Sequence, residues 1–224
     1  RRWDVMSAQR PDQIIAVSSE IQKRIFKYYR RDSIVLHPAV DTEFFVPQND
    51  GGGSDYYLVV SRLKPYKRVD LAVQAFNLIG RPLVVVGDGS EMKRLKKMAL
   101  PNIRFTGKVS DRQLLDYYQN CRALIFPTLE DFGLTPLEAQ CCGKPVIAYG
   151  RGGALETVVE GETGIFFYQQ TVESLIEAVN RFEEARFDKD KIRNHAQTFN
   201  QDNFVRNLKQ IVDREYAKFR EGKT

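Results

Sequence analysis

The sequence predicts an α/β protein built on a doubly wound, Rossmann-like parallel sheet of about six strands. From residue 55 onward, short apolar runs alternate with helical patterns, which is the order expected of repeated strand–helix–strand units. The apolar runs are continuous rather than alternating, as in strands that helices cover on both faces. Units of this kind join parallel strands by right-handed crossovers, so the carboxyl ends of the strands meet at one edge of the sheet.

The first 37 residues are interpreted as the end of a preceding acceptor domain, and 38–54 as a linker. The linker contains two prolines and the glycine run 51–53, which is typical of loops between domains. Because the chain begins with Arg1 rather than with methionine, we expect a fragment of a longer protein. The elements predicted before the linker are a short helix, a strand at 14–17, a helix at 20–29 and a strand at 33–36.

Residues 55–200 are interpreted as the main domain. Its strands are apolar runs that are far too short to span a bilayer. We expect these strands at 56–60, 83–86, 103–106, 123–126, 146–148 and 164–167. We expect the helices at 69–79, 91–99, 112–119, 136–142, 172–186 and 189–198, with a further helix at 203–220 in a separate C-terminal segment, 201–224.

The composition weighs against several classes of function. With 42% hydrophobic and 28% charged residues, the chain is typical of a globular domain. The net charge of +5 is spread over mixed helices without a basic stripe of interleaved aromatic residues, so no nucleic-acid partner is expected. Three cysteines, two of them adjacent, favour a reducing compartment. His37 and His195 have no partners at ligand spacing, so no metal site is expected; His37 is expected to be structural and His195 to lie on a helix surface.

Two carboxylates flank the point where a predicted strand turns into a helix. Glu130 and Glu138 are separated by seven residues. The pattern predicts Thr135 as the N-cap, Pro136 at the first helical position and Glu138 at the third. Helix N-termini present unpaired N–H groups that suit an anion, and Gly133 lets a ligand approach the backbone closely.

Cations follow an earlier strand, in the segment 61–68 with Arg62 and Lys67. Since ligands of such sheets bind beyond the carboxyl ends of the strands, residues that follow different strands should gather along one rim. Carboxylates bind hydroxyl groups, while amides and cations bind phosphates, so this rim suits a nucleotide sugar. The residues that directly follow strands are Arg62, Gly87, Lys108, Glu130 and Gly150.

Five motifs lie along the rim: Val60-Ser61-Arg62 with Lys67, Gly87-Asp88-Gly89, Gly107-Lys108-Val109, the Glu130-to-Glu138 motif and Gly152-Gly153-Ala154. Together they resemble the family 4 retaining glycosyltransferases of the GT-B fold, and more narrowly the WbaZ-type mannosyltransferases. The resemblance runs over nearly the whole chain. It covers the C-terminal, donor-binding half of such an enzyme together with the end of the N-terminal acceptor half.

The resemblance implies roles for individual residues. Arg62 and Lys67 would contact the donor diphosphate and stabilise the departing nucleotide. Glu130 would hold the transferred sugar together with nearby backbone amides, and these three residues form the catalytic set. Glu138 would accept hydrogen bonds from the ribose hydroxyls. The remaining donor-binding residues, of which the pair at 108 and 109 would meet the base through backbone groups, are Ser61, Lys108, Val109, Phe132, Gly133, Leu134 and Thr135.

The implied activity is transfer of a hexose from a nucleoside diphosphate to a glycan or lipid-linked acceptor. GDP-mannose is the favoured donor because the narrower resemblance points to it. No metal and no cofactor are implied, since basic side chains and a helix N-terminus stabilise the leaving group in this family. The acceptor would bind through the missing N-terminal domain, so we expect this chain to bind the donor without transferring sugar. The full-length protein would be cytoplasmic, with peripheral association at the inner face of the membrane.

The last helix, as in similar proteins, would cross back onto the N-terminal domain. Its inward stripe of Phe204, Leu208 and Ile211 would then be partly exposed in this chain.

Other interpretations stay open. The site residues would look the same in a non-catalytic nucleotide-sugar-binding module or in a sugar-nucleotide epimerase of the same fold. A phosphorylase would need a lysine in a pyridoxal-phosphate context, and a nicotinamide dehydrogenase would need a glycine fingerprint after the first strand; the sequence shows neither. Glu138 alone would complete a capping box, as Ser110 does with Gln113. Asp188 is expected to cap a helix, and Asp111 is a candidate partner for a guanine edge.

Overall fold

The computed structural model describes residues 2–48 and 54–222. The glycine run 51–53 of the predicted linker lies outside the described residues. The helices of the described chain are α1 (Arg2–Ser7), α2 (Ser19–Tyr29), α3 (Val69–Ile79), α4 (Met92–Met98), α5 (Asp111–Asn120), α6 (Leu134–Cys141), α7 (Ala154–Thr157), α8 (Val172–Glu184), α9 (Lys189–Gln197) and α10 (Gln201–Glu221). The strands are β1 (Ile15–Ala16), β2 (Ile34–Val35), β3 (Tyr57–Val60), β4 (Leu83–Val86), β5 (Ile103–Gly107), β6 (Leu124–Phe126), β7 (Val146–Tyr149) and β8 (Gly164–Phe167).

The main sheet has six parallel strands in the order β5-β4-β3-β6-β7-β8. This confirms the predicted α/β fold and all six predicted strands of the main domain. After β3 the chain adds β4 and β5 on one side, and then returns to add β6, β7 and β8 on the other. The order therefore reverses between β3 and β6. A reversal of this kind opens a crevice at the carboxyl ends of the two strands, where ligands of such sheets bind.

The continuous apolar runs are explained by helices on both faces of the sheet. Along β3, the side chains of Tyr57 and Val59 enter one core cluster, whereas Leu58 enters the other. The first cluster includes residues of α3, α4 and α8, and the second includes residues of α5, α6 and α9. Because successive strand residues point to opposite faces, every position of a doubly covered strand must be apolar.

The N-terminal piece forms a small parallel pair, β1 with β2, connected by α2. Both strands are shorter than the predicted runs 14–17 and 33–36. Helix α2 begins where the hydroxyl of Ser18 accepts a hydrogen bond from the N–H of Ile21 at 3.1 Å. Such a cap satisfies one of the free donors of the first turn.

The last helix, α10, contributes no buried residue. Phe204, Leu208 and Ile211 are partly exposed, as predicted, and Val205 and Val212 are exposed as well. No helix in the described part of the chain is long and apolar enough to cross a membrane. All three cysteines are free and buried, and burial raises the pKa of the Cys121 and Cys141 thiols to about 12.

Candidate functional site

A cavity of about 670 Å³ lies at the carboxyl ends of β3, β4 and β6, where the strand order reverses. Ten of the eleven predicted site residues line it, although they come from three separate segments of the chain. These ten are Ser61, Arg62, Lys67, Lys108, Val109, Glu130, Phe132, Gly133, Leu134 and Thr135. Sequence reasoning missed most of the apolar wall, which includes Pro38, Val59, Val86, Leu114, Ile125 and Phe126.

The first wall of the cavity is the cation segment after β3. Its backbone is tied to the neighbouring strand, since the N–H of Ser61 donates to the carbonyl of Val86 at 3.0 Å. Arg62 is exposed, and its Nη2 lies 3.3 Å from the hydroxyl of Tyr66. A short 3₁₀ turn, Pro65–Lys67, then brings the ammonium group of Lys67 back to the cavity.

Lys67 and Glu130 form an ion pair across the cavity, although 63 positions separate them in the sequence. Both side chains are largely shielded from water, with exposed fractions of 13% and 23%. Burial lowers the pKa of Lys67, and the nearby charge of Arg62 lowers it further. Without a ligand, the ammonium and the carboxylate neutralise each other, which limits the cost of placing both in a partly dry crevice.

The second wall is the loop from Glu130 to Gly133 and the start of α6. Helix α6 begins at Leu134, and Gly133 is its N-cap with φ 94°, so the predicted N-cap Thr135 is wrong. The left-handed φ of Gly133 turns the chain into the helix earlier than expected. Pro136 consequently occupies the third helical position, where its missing N–H still belongs to the unpaired donors of the first turn.

No side chain caps α6, so the predicted capping box of Thr135 and Glu138 does not form. The residues at the start of the helix, Gly133, Leu134 and Thr135, line the cavity. Uncapped N–H groups and the positive end of the helix dipole favour a bound anion or a hydrogen-bond acceptor at this position.

Gly153 holds the loop of the second wall from behind. The N–H of Gly153 donates to the carbonyl of Glu130 at 2.8 Å. A Cβ atom at Gly153 would lie only 2.1 Å from the Cα of Phe132, which leaves room for no side chain. The motif at 152–154 therefore supports the cavity wall and does not itself line the cavity.

Glu138 is the one predicted site residue that does not line the cavity. It lies about one helical turn beyond Thr135 on α6, where its Oε2 accepts a hydrogen bond from the hydroxyl of Tyr118 at 2.7 Å. Burial raises the pKa of Glu138; the hydrogen bond from Tyr118 lowers it, and the charge of Asp111 raises it. The carboxylate is thus oriented by a neighbouring helix rather than by the backbone of its own helix.

A third wall of the cavity is formed by Lys108 and Val109, just before α5. Ser110 and Gln113 form the predicted capping box at the start of that helix. Asp111 is exposed, and nothing in the structure tests its predicted contact with a guanine edge.

The N-terminal piece contacts the back of the site, which sequence reasoning missed. The carboxylate of Glu156 accepts hydrogen bonds from the N–H of Ser19 at 3.0 and 3.1 Å, and it lies 2.7 Å from Nε2 of His37. The ring of His37 stacks on Phe132 with a centroid distance of 5.2 Å, and Arg24 pairs with Asp131 at 2.6 Å. These partners are more than 90 positions apart, so no local pattern could have predicted them.

His195 is half-buried rather than on the helix surface, so that prediction is wrong. Its Nδ1 lies 2.7 Å from Oε1 of the buried Gln140. Asp188 caps α9 as predicted, its carboxylate accepting from the N–H groups of Asp190 and Lys191. Among residues 2–48 and 54–222, no group of three or more His, Cys, Asp or Glu side chains could hold a metal ion.

The profile of one protein family, described as Glycosyl transferases group 1, matches residues 40–199 of the chain. An uncharacterized glycosyltransferase of Methanocaldococcus jannaschii is 28% identical over 173 residues, which cover 75% of this chain and 48% of the relative. An alpha-1,3/1,6-mannosyltransferase of Dictyostelium discoideum is 29% identical over 219 residues, or 76% of this chain and 52% of the relative. A GDP-mannose-dependent phosphatidylinositol monomannoside mannosyltransferase of Mycolicibacterium smegmatis is 29% identical over 172 residues, or 64% and 45%. The chain therefore spans about half the length of the curated relatives it matches.

Solved structures share the fold at lower sequence identity. Sucrose-phosphate synthase from Thermosynechococcus elongatus superimposes with a TM-score of 0.84 at 22% identity, covering 96% of this chain and 61% of that protein. The Anabaena protein HepE in complex with UDP-glucose superimposes with a TM-score of 0.79 at 21% identity, covering 95% and 66%.

Proposed function

Because the chain belongs to the glycosyl transferases group 1 family, we propose that it is the donor-binding half of a retaining hexosyltransferase. The observation that carries the proposal is the cavity at the reversal of strand order. A guanidinium, an ammonium and a carboxylate meet there, at Arg62, Lys67 and Glu130, beside the uncapped start of α6. These groups match the phosphates and hydroxyls of a nucleoside diphosphate sugar.

In the proposed complex, the diphosphate lies at Arg62 and Lys67 and the sugar lies at Glu130. The phosphate oxygens would replace the carboxylate as the partner of Lys67, and the sugar hydroxyls would replace the ammonium as the partner of Glu130. Binding would thus exchange one ion pair for two sets of charge-assisted hydrogen bonds. The apolar walls from β3, β4 and β6 would exclude water around them.

Arg62 and Lys67 would also accelerate the transfer. As the bond between the sugar and the diphosphate breaks, negative charge grows on the departing phosphate and positive charge grows on the sugar. Fixed cations at the phosphate stabilise this transition state more than the ground state, which is the condition for a rate enhancement. Our proposal assigns this task to Arg62, Lys67 and the first turn of α6, with no metal ion and no cofactor.

We propose GDP-mannose as the donor and a glycan or lipid-linked saccharide as the acceptor. The donor assignment is supported by the mycobacterial relative, whose name specifies GDP-mannose. UDP-glucose is the competing candidate, because HepE was solved with it. The acceptor would bind to the part of the full-length protein that precedes this chain, and peripheral membrane association belongs to the same proposal.

Calorimetric titration of the chain with GDP, UDP, ADP and their sugar conjugates tests the proposal. We expect GDP and GDP-mannose to bind most tightly. The proposal also assigns the ribose hydroxyls to Glu138, so we expect Glu138→Ala to weaken every ribonucleotide about 10-fold or more, because hydrogen bonds to a charged group are lost. Glu43→Ala, which removes an exposed carboxylate in the segment before β3, is the matched control. Absence of binding by all three nucleotides would contradict the proposed function, and tighter binding of UDP would correct the donor.

A further inference from the structure

We propose that Tyr118 is a positioning residue for nucleotide recognition: its buried hydroxyl holds the Glu138 carboxylate in the orientation that receives the ribose. The inference rests on the proposed function, in which the Glu138 carboxylate accepts hydrogen bonds from the ribose hydroxyls. It adds a residue that lies 20 positions earlier in the sequence, on a different helix.

The contact is specific in its geometry. The hydroxyl of Tyr118 donates to Oε2 of Glu138 at 2.7 Å, a normal distance for a charge-assisted O–H···O hydrogen bond. Within the described residues, Tyr118 is the only side chain that donates a hydrogen bond to this carboxylate, and no salt bridge involves it. A phenol has one proton to donate, so Oε1 and one lone pair of Oε2 stay available.

Tyr118 is itself held rigidly. Its side chain is 0% exposed, and its ring packs edge to face against Phe45 with a centroid distance of 5.7 Å. Burial raises the pKa of Tyr118 well above its ordinary value, so the hydroxyl keeps its proton and remains a donor. A side chain fixed in the core can orient a neighbouring half-buried carboxylate without losing conformational freedom when the ligand binds.

Glu138 needs such a partner because it does not form the capping box with the start of its own helix. Helix α6 begins before Thr135, so the carboxylate does not turn back to an N-cap backbone N–H as it would in a capping box. With burial and the charge of Asp111 both raising its pKa, the carboxylate is pushed towards its protonated form. The hydrogen bond from Tyr118 opposes this push and keeps available the ionised form that accepts strongly from two hydroxyl groups.

The experiment compares ribonucleotides with nucleotides that lack the ribose hydroxyls. GDP and 2′,3′-dideoxy-GDP are titrated by calorimetry into the wild-type chain and into Tyr118→Phe; UDP and its dideoxy form replace them if UDP binds more tightly. We expect Tyr118→Phe to weaken the ribonucleotide about three- to tenfold, the range for one hydrogen bond, and to leave the dideoxy nucleotide unchanged. Tyr117→Phe, the adjacent residue on α5, is the matched control and should change neither affinity.

A pH series adds a readout that a purely structural role would not change. The charged and titratable groups that influence Glu138 or are influenced by it are Tyr118, Asp111, Cys141 and Cys142. Removal of the Tyr118 hydroxyl takes away the interaction that lowers the pKa of Glu138. Ribonucleotide affinity should therefore begin to fall at a higher pH in Tyr118→Phe than in the wild-type chain. In Glu138→Gln, which has no carboxylate to protonate, this fall in ribonucleotide affinity at low pH should disappear.

Failure of the inference and failure of the proposed function give different results. If the wild-type chain binds GDP and dideoxy-GDP equally, Glu138 does not receive the ribose, and the role of Tyr118 falls with it. If the wild-type chain discriminates between the two and Tyr118→Phe discriminates to the same degree, only the inference is overturned. Equal weakening of both nucleotides also overturns it, because that pattern indicates a general loss of structure.

Should Tyr118→Phe not fold, Phe45→Leu tests the same alignment by removing the ring that holds Tyr118. It should weaken the ribonucleotide selectively, and equal weakening of both nucleotides would overturn the inference.

Discussion

At the scale of single residues, the charged side chains of the site differ in whether they already have a partner of opposite charge. Lys67 and Glu130 neutralise each other without a ligand, whereas Arg62 is exposed, and its side-chain hydrogen-bond partner within the described residues is the hydroxyl of Tyr66. We therefore expect Arg62 and Lys67 to contribute differently to binding of the donor. Arg62 is available to an incoming diphosphate at once, while Lys67 must first exchange its partner. Arg62 should therefore matter both for capture of the donor and for the transfer step.

We expect Arg62→Ala to lower kcat/KM for sugar transfer by the full-length protein about 100-fold, by analogy with the loss of one preorganised donor to a developing charge. Arg62→Lys should restore part of the loss, because it keeps the charge without the forked geometry. Steady-state kinetics with varied donor concentration measures both effects. Arg104→Ala, an exposed arginine of β5 that does not line the cavity, is the control. Unchanged kcat/KM in Arg62→Ala would remove Arg62 from the catalytic set.

At the scale of elements, two similar capping patterns have different outcomes. Ser110 with Gln113 forms a capping box, whereas Thr135 with Glu138 does not. The sequence pattern is adequate for α5 because its cap residue has an extended conformation. It fails for α6 because Gly133 takes a positive φ and starts the helix earlier. Gly133 was evident in the sequence, but its positive φ and the helix start that follows from it were not. Glycine adopts such a conformation more easily than other residues do.

The loop that carries Glu130 and Phe132 is held in place by close packing, so Gly153→Ala should disturb it. The new Cβ would lie 2.1 Å from the Cα of Phe132, and overpacking of this kind costs about 1–3 kcal/mol. We expect a lower free energy of unfolding in urea and weaker binding of the nucleotide sugar. Gly222→Ala is the control, because its Cβ would meet only the carbonyl of Lys218 at 3.5 Å. Wild-type stability and affinity in Gly153→Ala would show that this packing is not tight.

The interface of α6 and α9 should make stability depend on pH. The side-chain nitrogen of Gln140 donates to the carbonyl of Thr157 at 2.6 Å, so its oxygen faces His195, whose Nδ1 then carries the proton. Burial lowers the pKa of His195 below its ordinary value of 6.5. As the pH falls through 6.5, the unfolded chain therefore binds a proton that the folded chain resists, and stability declines.

His195→Gln should remove this component of the decline. The measurement is urea unfolding of both proteins between pH 7.5 and 5.5. As the pH falls, the free energy of unfolding of the wild type should decrease more than that of His195→Gln. A difference in unfolding free energy that stays constant across this range would contradict the lowered pKa of His195.

At the scale of the whole molecule, the contacts that assemble the site are long-range. The six strands were predictable because helices on both faces require continuous apolar runs. The gathering of Arg62, Lys108 and Glu130 was predictable from the rule that parallel strands end at one edge. The pairing of Lys67 with Glu130 and of Tyr118 with Glu138 was not, because it depends on side-chain directions after folding. The contacts of Glu156 with the N-terminal piece were hidden for the same reason.

We expect this chain to bind the donor but not to transfer sugar by itself, since we propose that the acceptor binds to residues outside it. The test compares transfer from GDP-mannose by this chain and by the full-length protein, at concentrations that saturate donor binding in both. Equal turnover would show that the acceptor site lies within these residues.

The most direct test of the central claim is a crystal structure of the chain with the nucleotide sugar that binds most tightly in the titration. The account predicts phosphate oxygens at about 2.7–3.2 Å from Arg62 and Lys67, with the sugar on Glu130 and the ribose on Glu138. A nucleotide found elsewhere, for example in the cavity at the opposite edge of the sheet near Lys144 and Lys189, with the Lys67–Glu130 pair intact, would contradict it.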